Sequence, residues 1–120
     1  MDNAGTWESK IWVDGTKELK SGEEWDSKTL FIKKGSIVTI DLLSNERVYF
    51  KISKYEDYKT KTKNGSQPYD FPFGSDESTI DEAVKISSDE NYILIMRLSV
   101  FNDNAKVKLR VEVISPTSKV

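Results

Sequence analysis

The stretch Ala105-Lys-Val-Lys-Leu-Arg-Val-Glu-Val113 decides the fold class. Ala105, Val107, Leu109, Val111 and Val113 alternate without a break against Lys106, Lys108, Arg110 and Glu112. Successive side chains of an extended strand point to opposite faces, so this pattern describes a strand with one face in a core and the other in water. On a helix the same residues would be scattered around the whole circumference, leaving no apolar side to bury.

Working back along the chain, Tyr92 to Val100 sets Tyr92, Leu94, Met96, Leu98 and Val100 against Ile93, Ile95, Arg97 and Ser99. Apolar residues on both faces of its first half predict a strand covered on both sides. Asn102-Asp103-Asn104 has the chemistry of a tight hairpin turn between these two strands. Ser36 to Leu43 places Val38, Ile40 and Leu42 on one face, and Arg47 to Ser53 does the same with Val48, Phe50 and Ile52. The polar Ser44-Asn45-Glu46 between them predicts an antiparallel hairpin.

Nearer the amino end, Lys33-Lys34-Gly35-Ser36 predicts a further hairpin-type connection. It follows a strand over Glu24 to Ile32 that bulges near Leu30, where the alternation slips. A first strand over Trp7 to Val13 is expected to stop at the turn dipeptide Asp14-Gly15, and Ser21-Gly22 marks a second turn. Residues 54–80 break the rhythm: Tyr55, Tyr58, Tyr69, Phe71 and Phe73 are dispersed among polar residues, Asn64-Gly65, Pro68 and Pro72. This predicts a long irregular connection of the kind that carries function, followed by a short strand from about Glu82 to Ile86.

Strands and turn signals of this spacing, with no long helical pattern, predict an all-β protein. The expected architecture is an antiparallel β-sandwich of about seven or eight strands, jelly-roll-like, with one long aromatic-rich loop. The expected organisation is a flexible amino end over 1–6, one sandwich domain over 7–115, and a tail or linker over 116–120 after Pro116. A chain of 120 residues, 37% of them hydrophobic, suits one core and not two.

Composition excludes several chemistries. There is no Cys, so there is no disulfide and no thiolate nucleophile or ligand; there is no His, which removes the commonest acid–base group near neutrality and the commonest transition-metal ligand. A Ser-His-Asp triad is therefore impossible. No apolar stretch approaches the roughly 20 residues of a membrane-spanning helix. The amino end has no basic region followed by an apolar run, so the expected place is the cytoplasm unless a leader was removed. Net charge is only -2, but acids dominate 64–90 while bases dominate 91–120.

The strand, Lys-Gly-Ser turn and strand of Phe31-Ile-Lys-Lys-Gly-Ser-Ile-Val-Thr-Ile-Asp-Leu42, followed by Val48-Tyr-Phe-Lys-Ile52, Tyr92-Ile-Leu-Ile-Met-Arg-Leu98 and Val107-Lys-Leu-Arg-Val-Glu-Val113, resembles GOLD-like and jelly-roll accessory β-sandwich domains. The resemblance covers the layout of residues 25–114. It implies a module that contacts protein, lipid or glycan rather than one that does chemistry. The chain lacks the paired cysteines and membrane anchor of the secretory cargo-receptor branch, and no catalytic residue carries over.

The expected function is therefore non-enzymatic: a binding or assembly module that recognises a protein partner through the aromatic segment. A carbohydrate-binding module and a self-assembling structural subunit are the alternatives. The candidate contact residues are Tyr55, Tyr58, Lys61, Asn64, Tyr69, Phe71 and Phe73, since aromatic rings with a polar rim suit protein or sugar surfaces. A secondary basic face comprises Arg97, Lys106, Lys108 and Arg110; it is too narrow for nucleic acid. No cofactor is expected. If one binds, calcium suits the hard oxygens of Asp76, Glu77, Asp81 and Glu82, expected in a loop, although their spacing matches no EF-hand.

Overall fold

The computed structural model describes residues 6–64 and 73–117, with the backbone alone over 60–64. They form β1 (Trp7–Lys20), β2 (Glu24–Asp26), β3 (Leu30–Ile32), β4 (Ile37–Lys54), α1 (Tyr55–Asn64), β5 (Phe73–Lys85), β6 (Glu90–Leu98) and β7 (Asn104–Pro116). All strand pairs among them are antiparallel.

One long strand organises the sheet. β4 carries β5 along one edge over nearly its whole length, while its other edge is divided: β7 pairs with Ile37 to Ser44 and β6 with Val48 to Lys54. The exchange falls at Asn45 to Arg47, where the β4–β5 register also shifts. Because β4 runs through without a break, the two halves belong to one 7-stranded sheet in the order β1-β7-β4-β6-β2, with β3 on β6 and β5 on β4. A strand of 18 residues accumulates too much twist to stay flat, and the sheet coils. β1 comes round to face β2: the Trp12 indole N–H donates to the Lys28 carbonyl at 3.0 Å, and the Lys17 ammonium lies 5.3 Å from the Trp25 ring centre. The result is a nearly barrel-shaped sheet, where the strand count had suggested a sandwich or jelly roll.

Several expected turns are something else. Ser44-Asn45-Glu46 does not reverse the chain. Asn45 Oδ1 accepts the Lys106 N–H at 2.8 Å and Ser44 Oγ accepts the Glu46 N–H at 3.1 Å, so polar side chains satisfy backbone groups as β4 bends between partners. Asn102-Asp103-Asn104 is not a hairpin either, since β6 and β7 both run antiparallel to β4, end to end along it. Lys33 to Ser36 does turn, with Gly35 at a φ of 93°. It carries the chain from β3, which pairs with β6, to β4 rather than closing a hairpin. Asp14-Gly15 lies inside β1 opposite Arg110 and Leu109, and the register shift falls at Trp12. The expected strand over Glu24 to Ile32 is divided into β2 and β3.

The segment read as an irregular loop, as far as it is described, contains α1 and the start of β5. Glu56 and Asp57 stand in the first turn of α1, where the helix dipole favours negative charge, and Lys59 pairs with Glu56 at 3.1 Å. β5 is longer than the expected Glu82 to Ile86 strand and begins at Phe73.

Phe50, Ile52, Leu94, Met96 and Leu98 from one half, and Val38, Ile40, Leu42, Val107, Leu109 and Val111 from the other, form one buried cluster. β6 is covered on its second face as well: Ile93 and Ile95 are buried outside that cluster, and α1 packs against β4 and β6. The ends of the described chain meet, with the Thr117 N–H donating to the Thr6 carbonyl at 2.9 Å and the two threonine hydroxyls in contact.

Candidate functional site

The exchange of partners along β4 leaves a gap that β6 and β7 must bridge. They do so with Ser99 to Asp103, which leaves the sheet at the bend of the molecule. The loop is tied down along its length. Ser21 donates its N–H to the Asp103 carbonyl at 2.9 Å and its hydroxyl to the Val100 carbonyl at 2.8 Å. Within the loop, Ser99 Oγ accepts the Phe101 N–H at 3.1 Å. Gly22, at a φ of 74°, brings the β1–β2 turn against Val100; a Cβ there would stand 3.1 Å from Val100 Cγ1. This ordered loop holds Val100 at 69% exposure and Phe101 at 93%. A Phe side chain in water forgoes roughly 2 to 3 kcal/mol of burial.

Beside the loop lies an open cleft of about 600 Å³, lined by Arg47, Tyr49, Asp76, Arg97, Ser99 and Asn102 among others. Cross-strand pairing builds it: Tyr49 stands opposite Arg97 on β6 and Asp76 on β5. The Arg97 guanidinium lies 5.7 Å from the Tyr49 ring centre, and the Lys51 ammonium 5.9 Å from it. Arg47 donates to the Asp76 carbonyl at 3.3 Å and pairs with its carboxylate at 3.9 Å, both side chains remaining largely exposed. The cleft thus sets two arginines and a tyrosine face beside the exposed Val100 and Phe101, with Arg47 held by Asp76.

The residues singled out from sequence are distributed differently. Tyr55 and Tyr58 share α1 and stack on each other at 6.1 Å; Lys59 lies over Tyr55, and the Tyr58 hydroxyl donates to Asp26 at 2.5 Å. Phe73 is not in a loop: it packs edge-on against Phe50 at 6.3 Å and belongs to the core margin. Lys61 and Asn64 lie on α1 with their side chains outside the described atoms, and Tyr69 and Phe71 lie outside the described residues.

Of the basic face, Lys106, Lys108 and Arg110 share the outer side of β7, with Arg110 held by Asp14 at 3.2 Å and Glu112 at 3.8 Å. Arg97 is not with them but on β6, in the cleft beside the loop. Asp76, Glu77, Asp81 and Glu82 lie on strand β5 and not in a loop. The alternation of the strand turns neighbouring acids to opposite faces, and no group of three or more acids able to hold a metal gathers among the described residues.

Arg47, Tyr49, Val100 and Phe101 were not singled out from sequence. The signal for Phe101 was present: an apolar ring immediately before the polar Asn102-Asp103-Asn104, out of phase with the Tyr92 to Val100 set. That set ends sooner than expected, because β6 stops at Leu98 and Val100 is exposed.

No family model matches the chain, and no curated protein does. Among solved structures, the chain is similar in fold to Aeromonas hydrophila PliG, a periplasmic lysozyme inhibitor of g-type lysozyme. The TM-score is 0.52 over 98% of this chain and 93% of that one, at 10% sequence identity. No helix among the described residues is long and apolar enough to cross a membrane.

Proposed function

We propose that this chain is a non-enzymatic protein-binding module, and that its partner is a glycan-cleaving enzyme of the lysozyme kind, held by the Ser99 to Asp103 loop and the adjoining arginine cleft. The observation that carries the reading is Phe101, almost wholly exposed on a loop hydrogen-bonded to the β1–β2 turn. A preformed projection loses little freedom on binding and suits insertion into a partner's cleft. Glycoside hydrolases line such clefts with carboxylates, and Arg97 beside the loop supplies the complementary charge. The shared fold with an inhibitor of g-type lysozyme supports the choice of partner class. The aromatic segment expected from sequence is the weaker surface, because Tyr55 and Tyr58 are already engaged with each other, Lys59 and Asp26.

The test is titration of a g-type lysozyme with the protein, following both lysis of cell-wall substrate and complex formation by calorimetry. Saturable inhibition that Phe101→Ala and Arg97→Ala each weaken by about tenfold or more is the expected result. Absence of any complex at roughly 10 μM, about 7 kcal/mol on the affinity scale, overturns the choice of partner. Binding that survives both substitutions overturns the choice of surface.

A further inference from the structure

Among the described residues β5 is paired along one edge only, to β4. Ile86 shows which backbone groups are left over, because its N–H donates to the Ser36 carbonyl and its carbonyl accepts from the Gly35 N–H. Alternation then turns the N–H and C=O groups of Lys85, Ala83, Asp81 and Thr79 away from β4, toward the open side. All four residues are exposed. The span 79–85 contains neither Pro nor Gly, and it equals or exceeds the usual strand length of about five to six residues.

The charge on this edge is one-sided: β5 carries Asp76, Glu77, Asp81 and Glu82 against Lys85. Asp81 stands directly opposite Asp41 on β4, an arrangement that destabilises a sheet. The next residue across that row is Arg110, already engaged by Asp14 and Glu112. The row therefore ends in acid on its open side.

We propose that the edge of β5 left unpaired among the described residues accepts, by strand addition, an extended basic segment of another protein, with a Lys or Arg side chain placed beside Asp81. Backbone groups of Thr79, Asp81, Ala83 and Lys85 supply the hydrogen bonds, and the carboxylates supply the selection for cations. The same carboxylates repel a second β5, so the occupant is a different, positively charged strand rather than another copy of this one. The site is separate from the Phe101 corner and stands or falls without it.

The experiment uses the full chain, isotope-labelled for amide NMR, with an end-blocked peptide of about nine alternating Lys and Thr residues as probe. The control peptide has Glu in place of Lys. Saturable shifts over 79–85 with slowed exchange of the Thr79, Asp81, Ala83 and Lys85 amides are expected with the Lys peptide and not with the Glu peptide. Ala83→Pro removes an outward N–H without touching the ladder to β4 and is expected to abolish the effect. Asp81→Lys is expected to weaken binding about tenfold, and it decides the matter if the proline variant does not fold. Shifts confined to Tyr49, Arg97 and 99–103, undiminished binding by Asp81→Lys, or no saturable change at about 1 mM peptide each overturn the proposal.

Discussion

Phe101 and Gly22 divide the work of the loop between display and support. The Phe101 ring is 93% exposed while its backbone N–H is held by Ser99, and in the proposed function it is the ring that meets the partner. Phe101→Ala should therefore leave urea stability within about 0.5 kcal/mol while its effect falls on partner affinity; a loss above about 1 kcal/mol would show that the ring packs on the protein. Gly22 is the converse. Its φ of 74° lies where a Cβ is strained, and the Cβ of Gly22→Ala would crowd Val100 at 3.1 Å. That substitution should cost about 1 to 2 kcal/mol in denaturant unfolding and also weaken partner binding, because the turn it distorts anchors the Val100 and Asp103 carbonyls. Unchanged stability in Gly22→Ala would mean that the turn yields without strain.

The elements differ in how far the sequence discloses them, and each difference has a local cause. β7 and the Ile37 to Ser44 arm of β4 were legible because each buries one face and wets the other, and the double cover of β6 was legible too. The Val48 to Lys54 arm was legible from Val48, Phe50 and Ile52 alone, because Lys51 and Ser53 on its second face are buried as well. The bend at Asn45 to Arg47 was not. A polar interruption between two alternating runs has the same local pattern whether the strand turns back or continues past a change of neighbour, and the neighbour is a non-local fact. α1 carries only Tyr55 and Tyr58 on one face among otherwise polar residues, too short an apolar stripe to reveal it. β5 hides its alternation because an edge strand is exposed at most positions. The site suffered in the same way: Arg97 was visible as a charge, but its nearness to Arg47 and Tyr49 depends on cross-strand register. At this scale Asp81→Asn removes one member of the Asp41–Asp81 pair and should raise stability by about 0.2 to 1 kcal/mol, with the gain shrinking in roughly 1 M salt. Thermal unfolding at two salt concentrations measures it, and a loss on substitution would show that Asp81 accepts a bond essential to the strand.

For the molecule as a whole, the pairing of its first strand with its last separates scaffold from site. β1 and β7 run side by side from the Trp7–Pro116 pair to the Lys20–Asn104 pair, and Thr6 and Thr117 are hydrogen-bonded to each other. The ends of the described chain are thus close enough to be joined, while the 99–103 loop sits at the bend and adds no residue to the buried cluster. Chain connectivity can accordingly be moved without changing any strand pair. A circular permutant with its ends linked and new ends opened between Phe101 and Asn102 should keep the β-sheet circular dichroism and a cooperative thermal transition. It should lose partner binding, because the braced loop becomes two free ends and the ordering of Phe101 must be supplied on contact at about 1 to 2 kcal/mol per backbone residue fixed. Retained binding would show that display of the ring does not depend on its brace. Loss of the fold would show instead that the loop is needed to lead β6 into β7 along β4, which would make it part of the scaffold and not an addition to it.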